Sequence, residues 1–158
     1  MIEWNLRTNT ERQLSDVVFR ELNALDVSRD NTRLLLSVDQ LESGRRVYEV
    51  EVLTGSMKAV GEPGDTSAAY LDDAQEYVVI RETDRKTSQF VYELFISEAR
   101  GKRWRRVTRT DSYNTSPAIV PGTRSLLFLS DAERDRSFEM MEVDISSFQT
   151  RSVPLTIR

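Results

Sequence analysis

The stretch SRDNTRLLLSVD, residues 28–39, decides the fold, because it joins a polar tight turn to a short apolar strand. The same pattern recurs without gaps at residues 71–82, LDDAQEYVVIRE, and with one residue of difference at residues 120–131, VPGTRSLLFLSD. The first strand position of the three copies is held by Leu34, Tyr77 and Leu126. Copies spaced roughly 40 to 50 residues apart indicate a repeat architecture.

Further segments occupy fixed places around each copy. Apolar residues two positions apart predict a half-buried strand after each copy, in VYEVEV (47–52), VYELFI (91–96) and FEMMEV (138–143). This alignment places in one column Val50, Leu94 and Met141. The last strand of each unit carries Val60, Val107 or Val153, and the segment before each turn ends in Val27, Tyr70 or Ile119. Each unit therefore has four predicted strands.

Four antiparallel strands per repeat predict an all-β fold, a β-propeller of four-stranded antiparallel blades. A blade cannot bury both faces of its own sheet, so it stacks on neighbouring blades. A generic antiparallel sandwich built from the same hairpins is the alternative. The nearest approach to a helical pattern, DVVFREL at 16–22, is interpreted as the link into an inner strand.

The N-terminal segment MIEWNLRTNTERQL aligns without gaps on residues 47–60, so the chain is expected to open with the two outer strands of an incomplete blade. The domain prediction is a single propeller domain or segment, about three and a half blades, divided at 1–16, 17–62, 63–111 and 112–158. A partial ring leaves an apolar blade face uncovered at each end. This arrangement predicts a protein partner, a homo-oligomer, or missing blades that complete the ring.

The turn-and-strand unit resembles the PD40 (WD40-like) repeat of the TolB family, whose motif runs approximately S-P-D-G-K-x-I-A-F-x-S. The matching residues are Ser28, Asp30, Asn31 and Leu34–Leu36 in the first copy, Asp72, Asp73 and Tyr77–Val79 in the second, and Pro121, Gly122, Leu126–Phe128, Ser130 and Asp131 in the third. Asn31 is expected to accept the positive φ that glycine supplies in the motif, whereas Ala74 departs from it. The resemblance implies a propeller with a binding role, bacterial and in the periplasm or cell envelope.

Composition removes several classes of function. The 158 residues include no cysteine and no histidine, which excludes thiolate and imidazole catalysis and ligation by these groups. A net charge of −4 and a pI near 5.0 argue against nucleic-acid binding. The apolar runs are too short for membrane insertion. We therefore expect no catalytic residue, no cofactor and no metal site, and the acidic turns are interpreted as structural.

The first 20 residues contain no apolar segment of the kind found in signal peptides, so no signal peptide is predicted and the compartment stays open.

Two groups of residues are candidate partner contacts. The basic segment RGKRWRRVTR, 100–109, contributes Arg103, Trp104 and Arg106, either as a patch for an acidic surface with Trp104 as a stacking platform, or as an outer edge strand protected by cations. The loops 83–90 and 131–137 vary between copies, and loop variation on a fixed scaffold is typical of recognition. The contacts predicted there are Arg85, Lys86, Arg134 and Arg136.

The function predicted from the sequence is a non-catalytic interaction module that binds a protein partner through its loops or its channel rim. The alternative is a fragment of a propeller enzyme, similar to oligogalacturonate lyase or to the propeller of a prolyl oligopeptidase-type peptidase. The absence of histidine and of a G-x-S-x-G elbow favours the binding module.

Overall fold

A computed structural model describes residues 2–5, 8, 10–13, 20–40, 44–72, 76–86, 89–98, 102–131 and 137–154. These residues form strands and turns only, with no helix among them. The strands are β1 Ile2–Asn5, β2 Thr10–Gln13, β3 Glu21–Val27, β4 Arg33–Gln40, β5 Gly44–Glu51, β6 Met57–Ala59, β7 Ser67–Asp72, β8 Glu76–Lys86, β9 Gln89–Glu98, β10 Arg103–Arg106, β11 Tyr113–Ile119, β12 Ser125–Asp131, β13 Glu139–Asp144 and β14 Thr150–Ser152.

The strands form a partial β-propeller. Strands β3 to β6 make one antiparallel four-stranded sheet in chain order, here called blade 1. Strands β7 to β10 form blade 2 and β11 to β14 form blade 3, each again antiparallel and in chain order. A parallel pairing of Tyr92 with Tyr113 joins blades 2 and 3. The all-β propeller prediction is confirmed.

The residues that the sequence places at the first strand position of each copy also hold equivalent positions in the three blades. Near the inner turns, Val27 pairs with Leu34 in blade 1 and Tyr70 pairs with Tyr77 in blade 2. In blade 3 the corresponding pair is Ile119 with Leu126. Asn31 has a φ of 57° and Gly122 a φ of 75°, the left-handed conformation expected of these turns. Ala74 lies outside the described residues.

The sequence alignment of the third strands was wrong in register. Val60, Val107 and Val153 do form one column, since their amides donate to the carbonyls of Val47, Leu94 and Met140. The structure therefore aligns Leu94 with Val47 and Met140, not with Val50 and Met141. The reason is that the hairpin between β8 and β9 is longer than its counterpart in blade 1 and contains a bulge between Glu82 and Asp84.

The core lies between blades. Between blades 1 and 2 the buried side chains include Leu35, Val47, Tyr77 and Val79. A larger cluster between blades 2 and 3 includes Val78, Ile80, Leu94, Leu126 and Phe128. Adjacent residues of one strand, such as Tyr77 and Val78, thus enter different junctions, as expected when both faces of a sheet are buried.

Blade 3 ends the described stack with a different kind of face. We call the side of a blade that points toward the next blade in chain order its following face. On blade 3 this face carries Leu127, Leu129 and Met140, which are half-buried, whereas the corresponding Leu35 and Val47 of blade 1 are fully buried under blade 2. The following face of blade 3 is the exposed counterpart of a buried junction.

The N-terminal hairpin has the register predicted from the sequence. Ile2 pairs with Gln13 and Trp4 with Glu11, as Tyr48 pairs with Ala59 and Val50 with Met57 in blade 1. Strands β1 and β2 form a separate two-stranded sheet. The residues that link this hairpin to β3, including most of the DVVFREL segment, lie outside the described residues.

Candidate functional site

The two ends of the propeller differ in what they display. Because consecutive strands alternate in direction, the turns between first and second strands lie at one end, here called the turn end. The opposite end holds the interblade linkers 60–66 and 107–112 and the hairpins between second and third strands. This second end is called the linker end.

Four aromatic rings form a row across blades 2 and 3 at the linker end, here called the aromatic ladder. The ring centroids of Phe90 and Tyr92 are 6.1 Å apart, those of Tyr92 and Tyr113 5.0 Å, and those of Tyr113 and Phe138 5.9 Å. Phe90 is 43% exposed, Tyr113 42% and Phe138 48%. Adjoining exposed aromatic side chains are unusual on a surface unless a partner covers them.

Blade 1 shows that the fold itself does not require aromatic residues here. In blade 1, Asp39 pairs with Glu21 on one side and with Arg45 on the other. Arg45 and Glu21 form an exposed ion pair of 2.5 Å. Blade 3 has the same arrangement. Asp131 pairs with Tyr113, and the neighbouring residue Ser130 pairs with Glu139. Phe138 precedes Glu139 and therefore corresponds to Arg45. Two aromatic rings thus replace an ion pair.

Asp131, which pairs with Tyr113, has an unsatisfied side-chain atom. Its Oδ1 is buried and has no hydrogen-bond partner among the described residues. A buried polar atom without a partner is uncommon in folded proteins and calls for an explanation such as an absent ligand. The ladder therefore combines exposed rings with an unpaired carboxylate oxygen.

Two of the four contacts predicted in the variable loops lie on a strand whose end is near the ladder. Arg85 and Lys86 end strand β8, and the backbone of Arg85 pairs with that of Phe90. Arg134 and Arg136 lie outside the described residues, in the segment between Asp131 and Phe138. The structure therefore brings Arg85 and Lys86 to the linker end by their backbone, and their role as contacts stays a prediction.

The basic segment is placed differently from a single cationic patch. Arg103 is exposed on β10, the outer edge strand of blade 2. Trp104 packs against the core between blades 1 and 2, with the guanidinium of Arg81 5.0 Å from its ring centroid. Arg106 donates to Glu93 at 3.0 Å and to the carbonyl of Thr108 at 2.8 Å. The structure thus does not bring Trp104 and Arg106 together with Arg103 as an open platform.

Buried acidic groups at the linker end hold the interblade linkers. Asp65 is fully buried, accepts two hydrogen bonds from Arg81 at 2.8 and 3.0 Å, and accepts the amide of Glu62 at 2.7 Å. Burial raises the pKa of Asp65, and Arg81 opposes this shift.

Glu93 does the same for the next linker. It is fully buried and accepts hydrogen bonds from Arg106, from the hydroxyl of Thr108 and from the amides of Thr110 and Asp111. The carboxylates of Asp65 and Glu93 both find their hydrogen-bond donors within the fold, so we assign these two residues a structural role.

The turn end carries an open cleft of about 720 Å³ that draws on all three complete blades. Its lining is apolar at Val27, Leu71 and Ile119, with Arg29 and Glu76 among the charged residues. The carboxylate of Asp26 accepts the amide of Tyr70 at 2.9 Å and is used in linking blades 1 and 2. This size lies within the range of ligand pockets.

Among the described residues there is neither a candidate metal cluster nor a helix able to span a membrane. No group of three or more histidine, cysteine, aspartate or glutamate residues there could hold a metal ion. The same part of the chain has no helix of the length and hydropathy that a bilayer span needs.

Solved structures share this architecture. The putative TolB from Agrobacterium tumefaciens superposes with a TM-score of 0.72 at 11% identity, over 90% of this chain and 51% of that one. The fold is that of a TolB-like β-propeller. TolB from Acinetobacter baumannii gives a TM-score of 0.70 at 14% identity, over 94% of this chain and 36% of that one.

An oligogalacturonate lyase in complex with manganese gives a TM-score of 0.69 at 15% identity, over 96% of this TolB-like chain and 46% of the lyase. The chain spans about half or less of the length of these neighbours. No protein-family model matches the sequence, and the comparison with curated proteins found no match.

Sequence reasoning missed the ladder itself. The residues Phe90, Tyr113 and Phe138 were not predicted as contacts, because each lies at the border of a predicted strand, where an aromatic residue suggests core packing. The contrast between copies, in which Phe138 and Tyr113 stand where blade 1 has Arg45 and Glu21, depends on the register that the structure gives the third strands.

Proposed function

We propose that this chain is a non-catalytic β-propeller interaction module that binds a protein partner at the aromatic ladder. The observation that carries the proposal is the exchange of the Glu21–Arg45 ion pair of blade 1 for the exposed rings of Tyr113 and Phe138 in blade 3. Exposed aromatic clusters are the residues that most often dominate binding energy at protein interfaces.

The position of the ladder supports the same proposal. It lies at the linker end, where β8 ends at Arg85 and Lys86. Arg134 and Arg136 follow Asp131 in the sequence and precede Phe138. Loops of variable length on a rigid scaffold are the usual place for recognition. Exposed rings provide affinity, and flanking charged residues would provide orientation and specificity.

The test compares variants of the chain as baits for proteins from the source cells. A Tyr113→Ser/Phe138→Ser variant removes two rings, and Leu53→Ser is the matched control, because Leu53 is 72% exposed but lies in a turn at the opposite end of blade 1. A protein retained by the wild type and by the control is then purified and titrated by calorimetry.

We expect the double variant to weaken binding of that protein by roughly 30-fold or more for each ring, the loss typical of interface hot spots. Circular dichroism should show that the double variant stays folded. Equal affinity of the wild type and the double variant would contradict the proposal.

A further inference from the structure

The part of the ladder in blade 3 combines a carboxylate with aromatic rings, the groups that together bind a cation. Asp131 Oδ1 is buried without a hydrogen-bond partner among the described residues, and Asp131 pairs through its backbone with Tyr113, whose ring centroid lies 5.9 Å from that of Phe138. An aromatic ring face attracts a cation through its quadrupole, and a carboxylate adds a charge-assisted hydrogen bond.

The same molecule contains a filled example of this arrangement. The guanidinium of Arg81 lies 4.8 Å from the ring centroid of Phe95 and 5.0 Å from that of Trp104, and it donates to the carboxylate of Asp65. Two aromatic rings and one carboxylate therefore hold an arginine side chain in the junction between blades 1 and 2.

Blade 1 carries a cation at the corresponding place. The residue that pairs with Asp39 is Arg45, whose guanidinium forms an ion pair with Glu21. The corresponding position next to Asp131 is Phe138, which supplies a ring and no charge. At these two positions blade 3 thus has a carboxylate and a ring, where blade 1 has a carboxylate and a guanidinium.

We infer that Asp131, Tyr113 and Phe138 form a pocket for an arginine side chain of the protein partner. The guanidinium donates to Asp131 Oδ1 and stacks on the flanking rings, as Arg81 does on Asp65, Phe95 and Trp104. This inference rests on the proposed function, because it names the chemical group that the partner presents at the ladder.

The direct test uses a probe and needs no partner. Nα-acetyl-L-arginine amide is titrated into the isotopically labelled chain, and amide chemical shifts are followed by NMR. We expect saturable shifts at Tyr113, Asp131 and Phe138. Nα-acetyl-L-citrulline amide, which has the same shape and no charge, should leave these shifts unchanged.

Two variants that each remove one negative charge make the test specific. Asp131→Asn should weaken binding of the arginine probe on the order of tenfold or more, because a hydrogen bond to a charged group is lost. Glu139→Gln, the matched control on an exposed neighbour, should leave the affinity within about twofold of the wild type. Phe138→Arg, which restores the residue type of blade 1, should abolish binding of the probe.

The outcomes separate this inference from the proposed function. Shifts of equal size with the citrulline probe, no shifts with the arginine probe, or equal effects of Asp131→Asn and Glu139→Gln would overturn the arginine pocket. A partner that still depends on Tyr113 and Phe138 would in that case leave the proposed function standing. Conversely, probe binding at Asp131 together with a partner insensitive to the ladder would remove only the proposed function.

Discussion

Asp30 shows at the scale of one residue how the repeat motif acts. Its Oδ1 accepts hydrogen bonds from the hydroxyl of Ser28 at 2.6 Å, from the hydroxyl of Thr32 at 2.8 Å and from the amide of Thr32 at 3.1 Å. These donors close the turn that leads into β4. They also lower the pKa of Asp30 from its ordinary value of 3.8 to about 2, with the Ser28 hydroxyl as the largest cause.

This pKa shift predicts a pH-dependent contribution to stability. Since the pKa of the folded state lies below that of the unfolded state, the stabilisation is complete above about pH 4 and is lost as the pH falls toward 2. The stability difference between the wild type and Asp30→Asn should therefore be largest at neutral pH and shrink between pH 4 and 2. Urea unfolding at several pH values measures it, and a difference that grows on acidification would contradict the assignment.

At the scale of the element, the interblade linkers show close packing around buried charge. A Cβ atom added to Gly61 would lie 2.8 Å from Oδ2 of Asp65 and 3.1 Å from the Cβ of Val47. Asp65 cannot move aside easily, because Arg81 and the amide of Glu62 hold it. Glycine is thus required at position 61 for space.

Gly61→Ala should lower the free energy of unfolding by about 1–3 kcal/mol, the usual cost of adding a methyl group to a packed site. Glu62→Ala is the control in the same linker, since it keeps the amide that Asp65 uses and should change stability by less than about 0.5 kcal/mol. Urea unfolding followed by tryptophan fluorescence compares the two variants. Equal stability of Gly61→Ala and the wild type would show that the linker adapts.

The outer strand β10 fits the edge-protection interpretation of the basic segment. Arg103 and Arg105 are exposed on this strand, and cations on an edge strand oppose pairing with another sheet. Arg105 also lies with its guanidinium 4.6 Å from the ring centroid of Phe148. A contact role for Arg103 stays a prediction.

How much of each element could be predicted depended on local information. The turns and inner strands follow from short-range patterns. The columns of Leu34, Tyr77 and Leu126 and of Val27, Tyr70 and Ile119 were therefore predicted correctly, and the structure pairs their members. The third strands follow hairpins of variable length, which shifted the column of Leu94. The contact of the Arg81 guanidinium with the Trp104 ring joins positions far apart in the sequence, and no local pattern indicates it.

At the scale of the whole molecule, the following face of blade 3 repeats a junction that is filled elsewhere. In blade 1 the corresponding face holds Glu49, whose Oε2 accepts hydrogen bonds from the hydroxyls of Tyr70 at 3.2 Å and Tyr77 at 3.0 Å of blade 2. Blade 3 has Glu142 at this position, bonded to Arg151 of its own outer strand at 2.6 and 2.8 Å. The face thus keeps the chemistry of a blade junction.

This face predicts association of the chain in isolation, through either a second copy or another apolar partner. We expect the purified chain to bind an apolar dye or to self-associate, because Leu129 and Met140 contribute apolar surface there. Leu129→Lys/Met140→Lys should reduce both effects, whereas Leu53→Lys at an isolated exposed site should not. Size exclusion with light scattering measures the association, and a monomer that binds no dye would contradict the prediction.

The ladder is built from two blades, and this affects the stability of the junction between them. Phe90 and Tyr92 belong to blade 2, whereas Tyr113 and Phe138 belong to blade 3, and a parallel pairing of Tyr92 with Tyr113 crosses this seam. A molecule that contacts rings of both blades stabilises the junction, because separating the blades would also break its own contacts. Binding at the ladder and the stability of the junction between blades 2 and 3 are therefore coupled, and each increases the other.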